Sequence, residues 1–390
     1  MKKTLIYHRD FGKVLGGGEY LPLFFAAELQ KSCDVTLALD VAGNVEAAAE
    51  RLGIALDPSR LRTVQLMPAG YSPARHRRID SVRRFRALKR LAPGFDVRIS
   101  TANMMDFGLP AHHFLSMVYF GDAEFADRAR GISRSVAEKL RRKASGAVSS
   151  GILRPLLGMR TKRQIVLDPE ERVYPNSEYL ASLLREHYGP FEGGVFHPPT
   201  VFEPAPGRPR RHEPPVVAYI GRIVSYKRVH EIIGIVEKAR AISGADLHFA
   251  AAGPFAEPGY EAKIRRMADE RSDWVELTGP VYGGEKAEFL SRADFAVHAE
   301  RDETFGIAVT EYLKAGLVPV VPDEGGAREV VDDPDLAFAD PDSAAAILAR
   351  LATDGIFRET KRASCAKRAA AFARDAYLAR QSALLGRILA

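Results

Sequence analysis

Two series of short apolar runs, parted by a proline-rich stretch, constrain this chain more than anything else in it. In the first series the run at residues 5–8 leads to the turn Gly16-Gly17-Gly18. A helical pattern follows from Glu19 through Leu21, Phe24, Phe25 and Leu29, and then a β-branched run at 35–39 bounded by Asp34 and Asp40. Strand, glycine turn, helix and strand make one βαβ unit with a parallel pair. Residues 96–100 and 114–120 read as further strands. Residues 172–177 read as a strand edge entering a helix over 179–188, with Ser177 its N-cap. Prolines at 198, 199, 204, 206, 209, 214 and 215 then interrupt all apolar periodicity, and the domain boundary is placed there. The second series predicts strands at 216–220, 247–252, 275–278, 295–298 and 318–321, with helices at 229–242, 260–271, 286–291 and 306–316. The expected architecture is α/β, with two doubly wound parallel-sheet domains facing across a cleft. Their predicted limits are 1–200 and 201–373, and an amphipathic helix within 374–390 packs back on the first domain.

Composition narrows the class. Hydrophobic residues make up 46% and charged residues 27%, as in a soluble globular protein. With only Cys33 and Cys365, a disulfide framework is disfavoured and a reducing, cytoplasmic setting is expected. The histidines and cysteines lack the HExxH or CxxC spacing of a zinc site. The N-terminal apolar run is too short for a signal peptide, and no stretch approaches the roughly 18 apolar residues that span a bilayer. The net charge of +6 is concentrated in the first half, where residues 75–90 read RHRRIDSVRRFRALKR and a second basic block covers 128–163. These segments read as solvated helix faces or as peripheral contacts with an anionic membrane at the inner face. No aromatic-rich motif or recognition helix accompanies them, which argues against nucleic acid.

In open α/β sheets ligands bind beyond the carboxyl ends of the strands. After the strand ending at His298 comes Ala299-Glu300-Arg301-Asp302-Glu303-Thr304-Phe305-Gly306, then a helix carrying Glu311. Helix amides around Thr304, Phe305, Gly306 and Ile307 suit an anion such as pyrophosphate. Glu303 at the helix mouth and Glu311 two turns along are acceptors for sugar and ribose hydroxyls. Taken singly, each feature has a plainer reading. A glycine triplet is a turn, Arg222 and Lys227 are surface bases at a helix start, and the two glutamates are solvated helix carboxylates. Their joint order, each at a strand end, is what selects a site.

The run from Glu303 to Gly326 resembles the E-x7-E region of the retaining glycosyltransferases of family 4, which have the GT-B fold of two Rossmann-like domains. The resemblance extends to Gly16-Gly17-Gly18-Glu19 as the GGxE loop, to Pro175-Asn176-Ser177, to Gly221-Arg222 with Lys227 as the phosphate grip, and to Ala252-Gly253-Pro254. It implies that Gly17 and Gly18 face the diphosphate, that Arg222 and Lys227 neutralise it, that Glu303 holds the donor sugar and that Glu311 holds the ribose. The segment around Glu311-Tyr312-Leu313 and Gly316-Leu317-Val318-Pro319 is similar to mannosyltransferases of lipid-linked glycan or polysaccharide assembly. GDP-mannose is thereby the leading donor and a glycan or polyprenyl-linked sugar the acceptor.

The relatives carry a histidine after the middle strand of the first domain. Here that strand is read to end at Phe120-Gly121-Asp122, which leaves Asp122 as the polar candidate and His112 and His113 as loop residues before the strand. No DxD triplet stands at a strand end; the acidic runs at 332–335 and 340–342 read as turns. A metal-independent enzyme without a resident cofactor is expected, with the nucleotide-diphosphate sugar as co-substrate. The acceptor hydroxyl would lose its proton to the leaving phosphate. Alternatives are a UDP-sugar donor, a nucleotide-sugar epimerase on the same fold, and a non-enzymatic sugar-binding protein, which would hold free sugar and ignore nucleotide.

Overall fold

The computed structural model describes residues 1–11, 17–41, 43–68, 71, 78–117, 157–205 and 212–390. The chain divides into two compact units. One runs up to Val201 and also contains Tyr377–Ala390; the other covers Phe202–Ala376.

The first unit is built on a parallel sheet of β1 (Lys2–His8), β2 (Cys33–Leu39), β3 (Leu61–Gln65), β4 (Val97–Ser100), β5 (His112–Leu115) and β6 (Arg172–Pro175), in the order β3-β2-β1-β4-β5-β6. Thr4 through His8 of β1 are all buried, the unbroken pattern expected of a central strand covered on both faces. Among the described residues its helices are α1 (Gly17–Leu29), α2 (Val45–Arg51), α3 (Arg78–Leu91), α4 (Lys162–Val166) and α5 (Glu178–Tyr188). Ser177 caps α5 by accepting a hydrogen bond from the Leu180 amide.

The second unit repeats the plan with β7 (Val216–Ile220), β8 (His248–Ala252), β9 (Val275–Gly279), β10 (Phe295–Val297), β11 (Val318–Pro322) and β12 (Ala337–Phe338). All are parallel, in the order β12-β11-β10-β7-β8-β9. Helices α6 (Val229–Ser243), α7 (Pro258–Asp269), α8 (Gly283–Ser291), α9 (Ile307–Lys314), α10 (Gly326–Val331), α11 (Pro341–Thr353) and α12 (Gly355–Ala369) belong to this unit. The last helix, α13 (Arg374–Leu389), sends Tyr377, Leu384 and Leu385 into the core of the first unit beside Phe24 and Phe196. Gln381 there donates to the Phe24 carbonyl at 2.9 Å.

In both sheets the strand order reverses, between β1 and β4 in the first and between β7 and β10 in the second. Such reversals leave a crevice at the carboxyl ends of the two strands.

Several local expectations change. His112 and His113 lie within β5 rather than before it, because both are satisfied inside the sheet. His113 Nε2 is 2.8 Å from Glu171 Oε2, and the His112 ring stacks on Tyr174. Residues 118–120 of that expected strand lie outside the described residues, as does Asp122. Helix α1 already begins at Gly17. The acidic runs are structural: Asp333 is bound by Lys361, and Asp340 closes a capping box on α11.

Candidate functional site

The carboxyl edge of the second sheet gathers the loops that follow β7, β8, β10 and β11, and glycines set how closely they approach. A Cβ on Gly253 would lie 1.8 Å from the Gly221 carbonyl oxygen, so the loops after β7 and β8 are in backbone contact there. Hydrogen bonds from the Gly221 amide to the Ala252 carbonyl and from the Ile223 amide to the Pro254 carbonyl hold the same pair together. Across the edge, a Cβ on Gly326 would meet the Thr304 carbonyl oxygen at 2.1 Å, and the Gly326 amide donates to the Glu303 carbonyl at 2.6 Å. The Gly325-Gly326 pair thus braces the loop that presents Glu303.

Onto this frame the chain places a lysine between two carboxylates. A short 3₁₀ turn, Ser225–Lys227, ends at Arg228 in the left-handed conformation (φ 55°) and delivers Lys227 over the mouth of β10. Its ammonium pairs with Glu303 at 2.7 Å and with Glu300. His298, the first residue past β10, has Nε2 3.8 Å from Glu303 Oε2. Burial opposes charge on Lys227, but Glu303 and Glu300 outweigh it and raise its pKa. Burial likewise works against ionised Glu303, yet the Lys227 charge brings its pKa down to about 2. Glu300 goes the other way: burial, aided by the Glu303 charge, lifts it to about 8. Burial and the adjacent lysine push His298 down to about 4, so its imidazole is neutral.

The remaining candidates separate into groups. Arg222 is exposed, donates to the Tyr226 hydroxyl at 2.8 Å, and stands on the same loop as Lys227. Glu311 is buried on α9 and paired with Lys286 of α8, and burial raises its pKa. Gly306 (φ 93°) caps α9; Thr304 and Ile307 flank it half-buried. Phe305 turns its ring into the core against Phe372, which leaves only its backbone facing the loop. Gly17 and Gly18 form the first turn of α1.

His298, Glu300 and Lys286 carry no motif of their own, and sequence reading passed over them. Their one signal was position, immediately beyond β10 or on the helix before it. The first unit has a further polar group at its own strand ends. Asp40 takes a bidentate bond from Arg84 and a third from Tyr7, and His8 Nδ1 lies 3.0 Å from the Thr101 hydroxyl.

Among the described residues, His298, Glu300 and Glu303 bring three ligand-type atoms within 4.8 Å of one another. The Lys227 ammonium already binds both of those carboxylates. A divalent ion would have to expel it, so this donor set fits a lysine better than a metal.

Residues 205–372, within the second unit, match the family model of glycosyl transferases group 1. A GDP-mannose-dependent alpha-mannosyltransferase of Mycobacterium tuberculosis is 31% identical over 117 residues. That match covers 30% of this chain and only 28% of the relative's length. Two solved structures share the whole fold. Sucrose-phosphate synthase from Thermosynechococcus elongatus has 15% identity and a TM-score of 0.70 over 100% of this chain and 99% of its own. The Anabaena protein HepE, solved in complex with UDP and glucose, has 15% identity and a TM-score of 0.64 at the same coverage. With its two six-stranded parallel sheets, the chain adopts the two-domain GT-B fold.

Proposed function

We propose that the chain is a retaining glycosyltransferase that moves a hexose from a nucleotide-diphosphate sugar to a glycan or lipid-linked acceptor. The observation that carries this reading is the convergence of Arg222, Lys227, Glu303 and the N-terminus of α9 on one edge of the sheet, at the reversal between β7 and β10. Breaking the anomeric bond leaves negative charge on the nucleoside diphosphate, and preorganised cations and amides stabilise it in the transition state. Lys227 and Arg222 supply the cations without a divalent ion. Glu303 accepts from donor-sugar hydroxyls and Glu311 from the ribose. The acceptor hydroxyl passes its proton to the leaving phosphate as it attacks from the face the phosphate vacates.

Mannose from GDP-mannose is the favoured donor, supported by the partial match to the mycobacterial mannosyltransferase. A UDP-sugar is the second reading, supported by the UDP and glucose bound to the Anabaena relative. We further propose peripheral attachment to anionic lipid on the cytoplasmic side through α3, whose Arg83, Arg86 and Arg90 are exposed on one helical face. No helix among the described residues is long and apolar enough to cross a membrane. Residues 128–156 of the second basic block lie outside the described residues.

The test is a thermal-shift panel of GDP, UDP and ADP with their sugars. The reading requires at least one diphosphate to raise the melting temperature and its sugar nucleotide to be slowly hydrolysed. If none stabilises the protein, the donor-site assignment is wrong.

A further inference from the structure

The second unit holds one cation between two carboxylates, and that imbalance has a use. Glu300 is buried at 8% exposure, and its carboxylate shares the Lys227 ammonium with Glu303. Among the described residues, no second cation is paired with it. His298, 3% exposed, is neutral and has no hydrogen-bond partner for Nε2 among the described residues. Tyr219, which faces Glu300 from β7, is held un-ionised by burial and gives its hydroxyl to the Arg222 carbonyl. Arg301, next in the loop, is bound to Glu324 and the Ala339 carbonyl. Arg222 is exposed and turned to Tyr226.

Resting on the nucleotide-sugar reading above, we propose that Glu300 is a positioning residue of the donor site. Ionised, it keeps the Lys227 ammonium drawn against the sheet; as a neutral acid it releases that ammonium to the diphosphate of the incoming donor. The geometry makes the two anions compete. Lys227 has a single charge to give, and a diphosphate placed beside it adds negative charge within a few ångströms of Glu300 in a poorly solvated setting. Taking one proton from solvent removes the competing charge while leaving Glu303 ionised to accept sugar hydroxyls.

The sign follows from linkage. Glu300 has its pKa raised to about 8, so below that value it already carries the proton and the donor binds without proton uptake. Above it the proton must be taken up on binding, and affinity falls as pH rises, approaching tenfold per unit. Lys227, raised by its two carboxylates, stays charged throughout this range.

The experiment is isothermal titration of the full chain with UDP and with GDP between pH 7 and 9.5, in two buffers of different ionisation heat. The expected result is a dissociation constant that is flat near pH 7 and rises up to tenfold per unit above about 8, with uptake approaching one proton. Glu300→Gln should show the same dissociation constant at pH 9 as at pH 7 and take up no proton. A wild-type profile without pH dependence or proton uptake overturns the inference, and this arm does not depend on any variant folding. A slope that persists in folded Glu300→Gln also overturns it, assigning the proton elsewhere, for instance to Glu311. If neither nucleotide binds the wild type at any pH, the nucleotide-sugar reading itself fails and takes this inference with it.

Discussion

Replacing Arg84 by alanine should damage the first unit far more than replacing its neighbours in the same basic helix. Arg84 is the exception on that helix, with a side chain 8% exposed against 1% for its partner Asp40. Its guanidinium donates to Asp40 from Nε at 2.8 Å and from a terminal nitrogen at 2.6 Å, a fork-to-carboxylate pair. Asp40 directly follows β2 and also accepts from the Tyr7 hydroxyl of β1 at 3.1 Å, so the pair ties α3 to the ends of two adjacent strands. Removing one member of a buried pair costs about 3–5 kcal/mol, because the other charge is left uncompensated. For a unit of this size that is a fall in melting temperature of about 6–20 °C. Far-UV circular dichroism would follow the melt, and Trp274, the sole tryptophan, would report the second unit separately from within its core. Exposed Arg86→Ala should stay within about 0.5 kcal/mol of wild type. An Arg84→Met, Asp40→Asn double variant should recover part of the loss, since no charge is then left alone. A melt of Arg84→Ala indistinguishable from wild type would refute the reasoning.

Three more outcomes follow from the same structure. Gly253→Ala places a Cβ 1.8 Å from the Gly221 carbonyl oxygen at a φ of 156°, so the loops after β7 and β8 must part. We expect about 1–3 kcal/mol of strain and loss of nucleotide binding, read by thermal shift with and without UDP; normal binding would show that the contact is dispensable. Glu311→Ala should weaken nucleotide affinity by about 1.5–3 kcal/mol, roughly ten- to a hundredfold by titration, and unchanged affinity would remove the ribose role. Neutralising Arg83, Arg86 and Arg90 to Gln should reduce binding to vesicles of anionic phospholipid by about 3 kcal/mol, or roughly two orders of magnitude. Arg84 is excluded from that set because it is buried; no change in sedimentation with vesicles would leave α3 a solvated face.

The elements that sequence made legible are those whose signal is continuous burial. Residues 216–220 and 318–321 are apolar throughout because helices cover both faces of the sheet, and the strands fall there. Edge strand β3, Leu-Arg-Thr-Val-Gln, escaped notice because its residues are exposed or half-buried and its pattern is mixed. The prominence of Glu303 and Glu311 came from spacing along the chain, which the eye can count. Glu300 and His298 lie beside Lys227, more than seventy positions earlier in the chain, and no local pattern encodes that proximity. Basic residues were the most misleading class. A run of arginines looks uniform in one dimension, yet folding sorts Arg84 inward and Arg83 and Arg86 outward.

The return of α13 to the first unit sets an order of events during synthesis. The aromatic cluster of Phe24 and Phe196 is closed by Tyr377, which contacts both rings at 5.3 and 5.8 Å. That residue is made about 175 positions after Val201, the last before the chain enters the second unit. At about 5–20 residues per second a ribosome needs roughly 9–35 s to supply it. The second unit has its whole core in hand by then, while the earlier-made unit still waits with a gap in its own. A chain arrested just short of Tyr377 is therefore expected to yield a protease-resistant second unit and a first unit that is readily cut. Equal resistance of the two would mean that the terminal helix only covers a core already closed.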